Sequence, residues 1–163
     1  MDEEKKPHQN CAYCALSKET FANTKLIFED VDFKAVFVAH TSLGHAIIIP
    51  KEHIIIASQV PEHIIEKMYS IIPDIIKKTS LILKTDSFTI ISNSGINQNI
   101  AHFSLHIIPR KEDDKLGFMW ERTQLTEDSI KVVREQLMQE NVKAINHNKK
   151  PEEVREKFVQ RLP

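Results

Sequence analysis

The run His102-Phe103-Ser104-Leu105-His106 alternates polar and apolar side chains without a break. A period of two is the pattern of a strand with two unlike faces. Phe103, Leu105 and Ile107 then point into a core, while His102, Ser104 and His106 share the opposite face. Three polar groups in a row on an otherwise apolar strand need partners or solvent, because burying a polar group without a hydrogen bond is costly. A polar cleft over that face would satisfy them, and a strand with one solvated face is the plain alternative.

The rest of the chain supplies companions for this strand. Lys25–Glu29 and Phe33–Ala39 are rich in Phe, Val and Ile, and Asp30-Val31-Asp32 between them predicts a hairpin. Thr41-Ser42-Leu43-Gly44 predicts a second turn, followed by a buried strand His45-Ala46-Ile47-Ile48-Ile49 that stops at Pro50. From Pro61 to Lys84, Ile64, Ile65, Met68, Ile71, Ile72, Ile75 and Ile76 recur at three and four residues, the stripe of a core-facing helix. Pro73 lies inside that stripe and should kink or split it. Phe88–Ser92 and Ile100–Pro109 are the last two expected strands, with the polar loop Asn93–Asn99 between them. The chain has only three glycines, so Gly44 and Gly95 at turns mark backbone that other residues resist. The order strand-strand-strand-helix-strand-strand predicts an α+β fold with a mostly antiparallel sheet.

A chain of 163 residues is enough for one domain with a proper core. We expect a disordered N-terminus over 1–10, the folded domain over 11–110, and a charged helical extension over 111–163 with surface helices at Glu127–Gln139 and Pro151–Leu162. With 22 Lys+Arg against 23 Asp+Glu, nothing points to nucleic acid or a membrane surface as an obligatory partner. The charged start Met1-Asp2-Glu3-Glu4-Lys5-Lys6 does not read as a secretory signal, and no apolar run approaches a bilayer span, so a cytoplasmic protein is expected. The two cysteines sit together as Cys11-Ala12-Tyr13-Cys14, which is either half of a zinc site or a redox pair.

Cys11-x-x-Cys14, then Gly44-His45-Ala46-Ile47-Ile48-Ile49-Pro50-Lys51-Glu52-His53, then His102-x-Ser104-x-His106-Ile107-Ile108-Pro109-Arg110, taken together and in this order, resemble the histidine triad family. The resemblance covers roughly residues 11–110. It implies a five-stranded antiparallel sheet with flanking helices, commonly paired into a homodimer. It also implies binding of purine nucleotides such as AMP or GMP, and hydrolysis or transfer of the nucleoside monophosphate from phosphoramidates or dinucleoside polyphosphates. Zinc-binding bacterial relatives complete a four-ligand site whose positions here are Cys11, Cys14, His53 and His102. Four protein ligands leave no open position for water, so the zinc would be structural.

The central position of the triad, which carries the nucleophilic histidine in the family, is Ser104 here. A neutral imidazole attacks phosphorus without first losing a proton, whereas a hydroxyl needs a base. Slow or absent turnover is therefore expected. His45 and His106 would line the phosphate site, orienting the substrate or moving protons. Asn93, Gly95, Gln98 and Asn99 match the phosphate loop in part, with a shorter spacing and no second glycine, and His106 would join them in binding the nucleotide. Phe37 stands where relatives carry an acid that contacts ribose. His40, His63 and His147 match no motif and read as surface residues, His8 as a spare ligand, and Trp120 as a core residue. Three functions follow as alternatives: a nucleotidyl hydrolase or transferase impaired by Ser104, a catalytically inactive nucleotide sensor, or a zinc-stabilised interaction module.

Overall fold

The computed structural model describes residues 10–16, 26–38, 41–117 and 124–139. His8, His40, Trp120, His147, most of the expected disordered N-terminus and the expected helix Pro151–Leu162 lie outside the described residues. The chain divides into two compact units, Met1–Asp114 and Lys115–Pro163.

The first unit holds α1 (Ala12–Leu16), β1 (Leu26–Glu29), β2 (Phe33–Phe37), β3 (Ala46–Pro50), α2 (Glu62–Ser70), α3 (Ile72–Leu83), β4 (Phe88–Ile91) and β5 (Leu105–Pro109). The five strands form one sheet in the order β1-β2-β3-β5-β4, antiparallel at every pairing. The expected α+β fold with a five-stranded antiparallel sheet and flanking helices is what the chain adopts. Among the described residues, no helix is long and apolar enough to cross a membrane.

Strand β3 lies at the centre and is buried along its whole length. Ala46 and Ile48 join Phe33, Ala35, Leu105 and Ile107 beneath α2 and α3, where Ile64, Met68, Ile72 and Ile75 close the main core. Ile47 and Ile49 face the other way and, with Val36, meet Tyr13 and Leu16 of α1. Burial on both faces explains why this segment is continuously apolar, where an edge strand would alternate.

The helical stripe breaks at Ile71. Pro73 is the second residue of α3, a first-turn position where its missing N–H leaves no bond unmade. In an unbroken helix its ring would have clashed with the carbonyl of Tyr69. Pro61 caps α2 from just outside its first turn.

The last strand begins later than the alternation implies. Residues 100–104 are not in the ladder, which runs from Leu105 to Pro109. His102 N–H bonds the carbonyl of Ile100 at 2.7 Å, and Phe103 N–H bonds the carbonyl of Ile54 at 2.6 Å. The backbone thus turns and pairs outside the sheet before β5 starts. The expectation that Phe103, Leu105 and Ile107 enter the core survives this shift, since all three belong to the main cluster.

The second unit contains α4 (Glu127–Gln139). Thr126 caps it, its Oγ1 accepting from Ser129 N–H at 3.3 Å. Ile130, Val133 and Leu137 form an exposed apolar stripe on this helix.

The turn before β3 depends on Gly44. Its φ is +85°, and a Cβ there would lie 2.7 Å from Leu83 Cδ1, 3.1 Å from Thr79 Cγ2 and 3.2 Å from Pro109 Cγ. Backbone strain and collision with α3 and β5 act together. Gly44→Ala should lower unfolding free energy by about 1–3 kcal/mol in chemical denaturation. A loss smaller than about 0.5 kcal/mol would show that neither constraint holds.

Candidate functional site

Two polar constellations meet on the α1 side of the sheet, and the segment from His102 to His106 contributes to both. The first is a cluster of metal-ligating atoms. Cys11 comes from the residue before α1 and Cys14 from within that helix, His53 from the loop after β3, and His102 from the turn before β5. One ligand atom from each lies within 4.8 Å of every other. Cys11 Sγ is 3.4 Å and Cys14 Sγ 3.5 Å from His102 Nδ1, and Cys14 Sγ is 3.2 Å from His53 Nδ1. The His53 and His102 rings stand perpendicular, with centroids 5.2 Å apart. Both cysteines are free thiols, buried with His102. These four residues can hold a metal ion.

The orientation of His102 favours this role. Its Nε2 donates to the carbonyl of Pro50 at 3.0 Å, which fixes the tautomer and turns the Nδ1 lone pair toward the cysteines. Burial holds the His102 imidazole below its ordinary pKa, outweighing the opposing effect of the bond to Pro50, and the neighbouring His53 acts in the same direction as burial. A neutral ring is the form that ligates metal.

The second constellation is a row of three side chains. Ser104 Oγ is 3.0 Å from His106 Nε2, and His106 Nδ1 is 3.1 Å from His45 Nε2. When the serine hydroxyl donates to Nε2, His106 carries its proton on Nδ1 and donates it to His45. Burial pushes the His106 pKa down, leaving the ring neutral near pH 7 and able to accept a proton. The geometry follows from sheet register, because Ile47 faces His106 across the β3–β5 pair and His45 lies two residues before Ile47 on the same face. His45 is 4 % exposed and Ser104 7 % exposed, so this is an interior arrangement rather than a solvated strand face.

Tyr13 lies beside the metal-ligating cluster. It stands between the two cysteines in sequence, and its ring meets the His102 ring edge-on at 5.8 Å. Burial raises the Tyr13 pKa, against the lowering effect of nearby Ser104. Sequence reasoning passed over this residue. The available signal was its place between two ligands, since an aromatic there is carried wherever the cysteines go.

The loop residues are less uniform. Asn93, Gly95 and Asn99 are exposed, and Gly95 has φ +73° with open space where a Cβ would stand. Gln98 holds the loop: its Oε1 accepts from Gly95 N–H at 3.0 Å, and its Nε2 donates to the carbonyls of Ile55 at 2.7 Å and His102 at 3.4 Å. Contact between this amide and a phosphate requires one of those bonds to be exchanged. Asn99 lines a cavity of about 330 Å³ with Asn10, Cys11, Ala12 and His53, beside the metal-ligating cluster. His63 is exposed on α2, as expected of a surface residue. Phe37 is exposed at the end of β2.

Comparison with known proteins adds the following. The family model of the HIT domain matches residues 20–113. The adenosine 5'-monophosphoramidase of Schizosaccharomyces pombe is 29 % identical over 131 residues, covering 78 % of this chain and 96 % of the yeast protein. A HIT family protein from Bacillus anthracis superposes with a TM-score of 0.71 at 22 % identity, over 81 % of this chain and 97 % of that one. A zinc-bound histidine triad family protein from Mycobacterium smegmatis superposes with a TM-score of 0.58 at 28 % identity, over 80 % of this chain and 94 % of that one.

The cluster leads to a direct expectation. Cys14→Ser should abolish stoichiometric metal in freshly purified protein and cost about 3 kcal/mol, or roughly 10 °C in Tm, because metal binding energy is folding energy. Metal analysis beside thermal melting checks it. Wild-type protein holding less than about half an equivalent per chain would rule out a resident metal here.

Proposed function

This chain belongs to the HIT domain family, and from that premise we propose that it binds purine nucleotides as a nucleotidyl hydrolase or transferase whose turnover is held back by Ser104 at the nucleophile position. The observation that carries this reading is the row Ser104–His106–His45, with Ser104 and His45 buried and His106 half-buried, hydrogen-bonded end to end beside an open glycine-containing loop. The substrates we assign are AMP- or GMP-like nucleotides joined through the α-phosphate to an amine or to a polyphosphate. The phosphoramidase activity named for the yeast relative supports the amine-linked class.

In this scheme Ser104 stands nearest the α-phosphorus. His106 exchanges a proton with the attacking or leaving group, and His45 keeps its ring in register. Asn93, Gly95 and Asn99 offer amide and backbone donors to phosphate oxygens, with Gln98 holding the loop in shape and His106 contributing from below. Serine slows the cycle at two points. Its hydroxyl must lose a proton to attack, and the phosphate ester it forms is a poorer donor to water than a phosphorus–imidazole bond.

The metal we assign is zinc. The sulfur–nitrogen separations of 3.2–3.5 Å agree with the ~3.5 Å edge of a tetrahedron having Zn–S ~2.3 Å and Zn–N ~2.0 Å, and the Mycobacterium smegmatis relative is a zinc-bound protein. Cys11, Cys14, His53 and His102 would hold it. Bound there it supplies a structural tie between α1 and the sheet, with no position left for water. A cytoplasmic, reducing location suits two free thiols in this role, and a homodimer is part of the same reading.

The test compares AMP release from adenosine 5'-phosphoramidate by this chain and by Ser104→His. The substitution should raise kcat on the order of 10⁴-fold or more, the scale lost when a nucleophile is removed from a coupled set. Equal rates in the two proteins would exclude Ser104 as the limiting residue.

A further inference from the structure

The hydrogen bonds around Ser104 make it more than a vacant nucleophile position. We propose that Ser104 itself accepts the nucleotidyl group, so that this chain labels itself once and keeps the nucleotide as a serine phosphodiester. The inference rests on the nucleotide-site reading above and specifies where its reaction stops.

Two features of the site support it. Ser104 Oγ lies 3.0 Å from His106 Nε2, within reach for proton transfer. His106 is oriented from behind by His45, 3.1 Å from Nδ1, so the base has a partner for the proton it already carries. This is the nucleophile, base and orienting group of an activated serine, recognised by geometry and not by sequence order.

The chemistry balances within the site. Ser104 Oγ attacks the α-phosphorus of a nucleoside phosphoramidate, forming an Oγ–P bond as the P–N bond breaks. The hydroxyl proton passes to His106 Nε2 and from there to the departing nitrogen, which leaves as a neutral amine. No electrons change hands and no other reactant is needed. The second half would require water to expel a serine alkoxide, a far more basic leaving group than imidazole. The phosphodiester therefore persists where a phosphorus–histidine bond would hydrolyse.

Full-length protein is incubated with adenosine 5'-phosphoramidate and followed by intact mass spectrometry, peptide mapping and thermal melting with AMP. The expected result is a gain of one adenylyl group per chain on Ser104, stable to acid, with amine release ending at one equivalent. Ser104→Ala should take no label, and His106→Gln should slow labelling by about 10²–10⁴-fold, the usual contribution of a general base. An acid-labile label would place the nucleotide on a histidine and overturn the proposal. Unlabelled protein whose Tm still rises with AMP would overturn it as well, while leaving the nucleotide site in place. Absence of both label and Tm shift would overturn the site and the proposal together.

Discussion

Strand β3 is buried on both faces, and the rest of the first unit is fastened to it. One face closes the core under α2 and α3, and the other packs against α1. A strand in that position cannot carry polar side chains in its middle, so the chemistry gathers at its two ends. Gly44 and His45 stand just before it. The carbonyl of Pro50 ends it, and His53 follows in the next loop. Its neighbour β5 then sets the position of His106 through the pairing of Ile47 with His106.

The polar groups around this apolar centre are ordered by one another. The Pro50 carbonyl fixes which nitrogen of His102 faces the cysteines. His45 fixes which nitrogen of His106 faces Ser104. In each case a bond on the far side of an imidazole decides what the near side can do, the relation that tunes both metal ligands and catalytic bases. Tyr13, between the two cysteines, packs its ring edge-on against His102, so the short helix that carries it meets the metal-ligating cluster through an aromatic contact as well.

Much of this was legible in the chain. The alternation around Ser104 separated Phe103, Leu105 and Ile107 from the polar residues, and the structure places those three in the core. The continuous apolar run at Ile47–Ile49 signalled a strand buried on both sides. Pro73 signalled the division of the long helix, and Gly44 a turn whose backbone other residues resist; that α3 and β5 also leave no room for a Cβ there came from the structure. Cys11, Cys14, His53 and His102, singled out through motif resemblance, come together although Cys11 and His102 are 91 positions apart. The start of β5 is not legible, because alternation continues through His102 while the backbone there bonds Ile100 and Ile54 instead of the sheet. Gln98 was assigned by its amide to phosphate, yet backbone carbonyls and an N–H engage that amide in the structure.

By itself the sequence determined which residues are apolar, which face of each strand they take, and where the chain must turn, because side-chain periodicity and the conformational limits of Gly and Pro act over a few residues. Only the tertiary structure decided that His102 leaves the ladder, that Pro50 supplies its partner, and that Ser104, His106 and His45 bond in a row. Those outcomes depend on backbone carbonyls and ring nitrogens brought together from distant segments. A hydrogen bond to a main-chain oxygen leaves no mark in the identity of the residue that provides it.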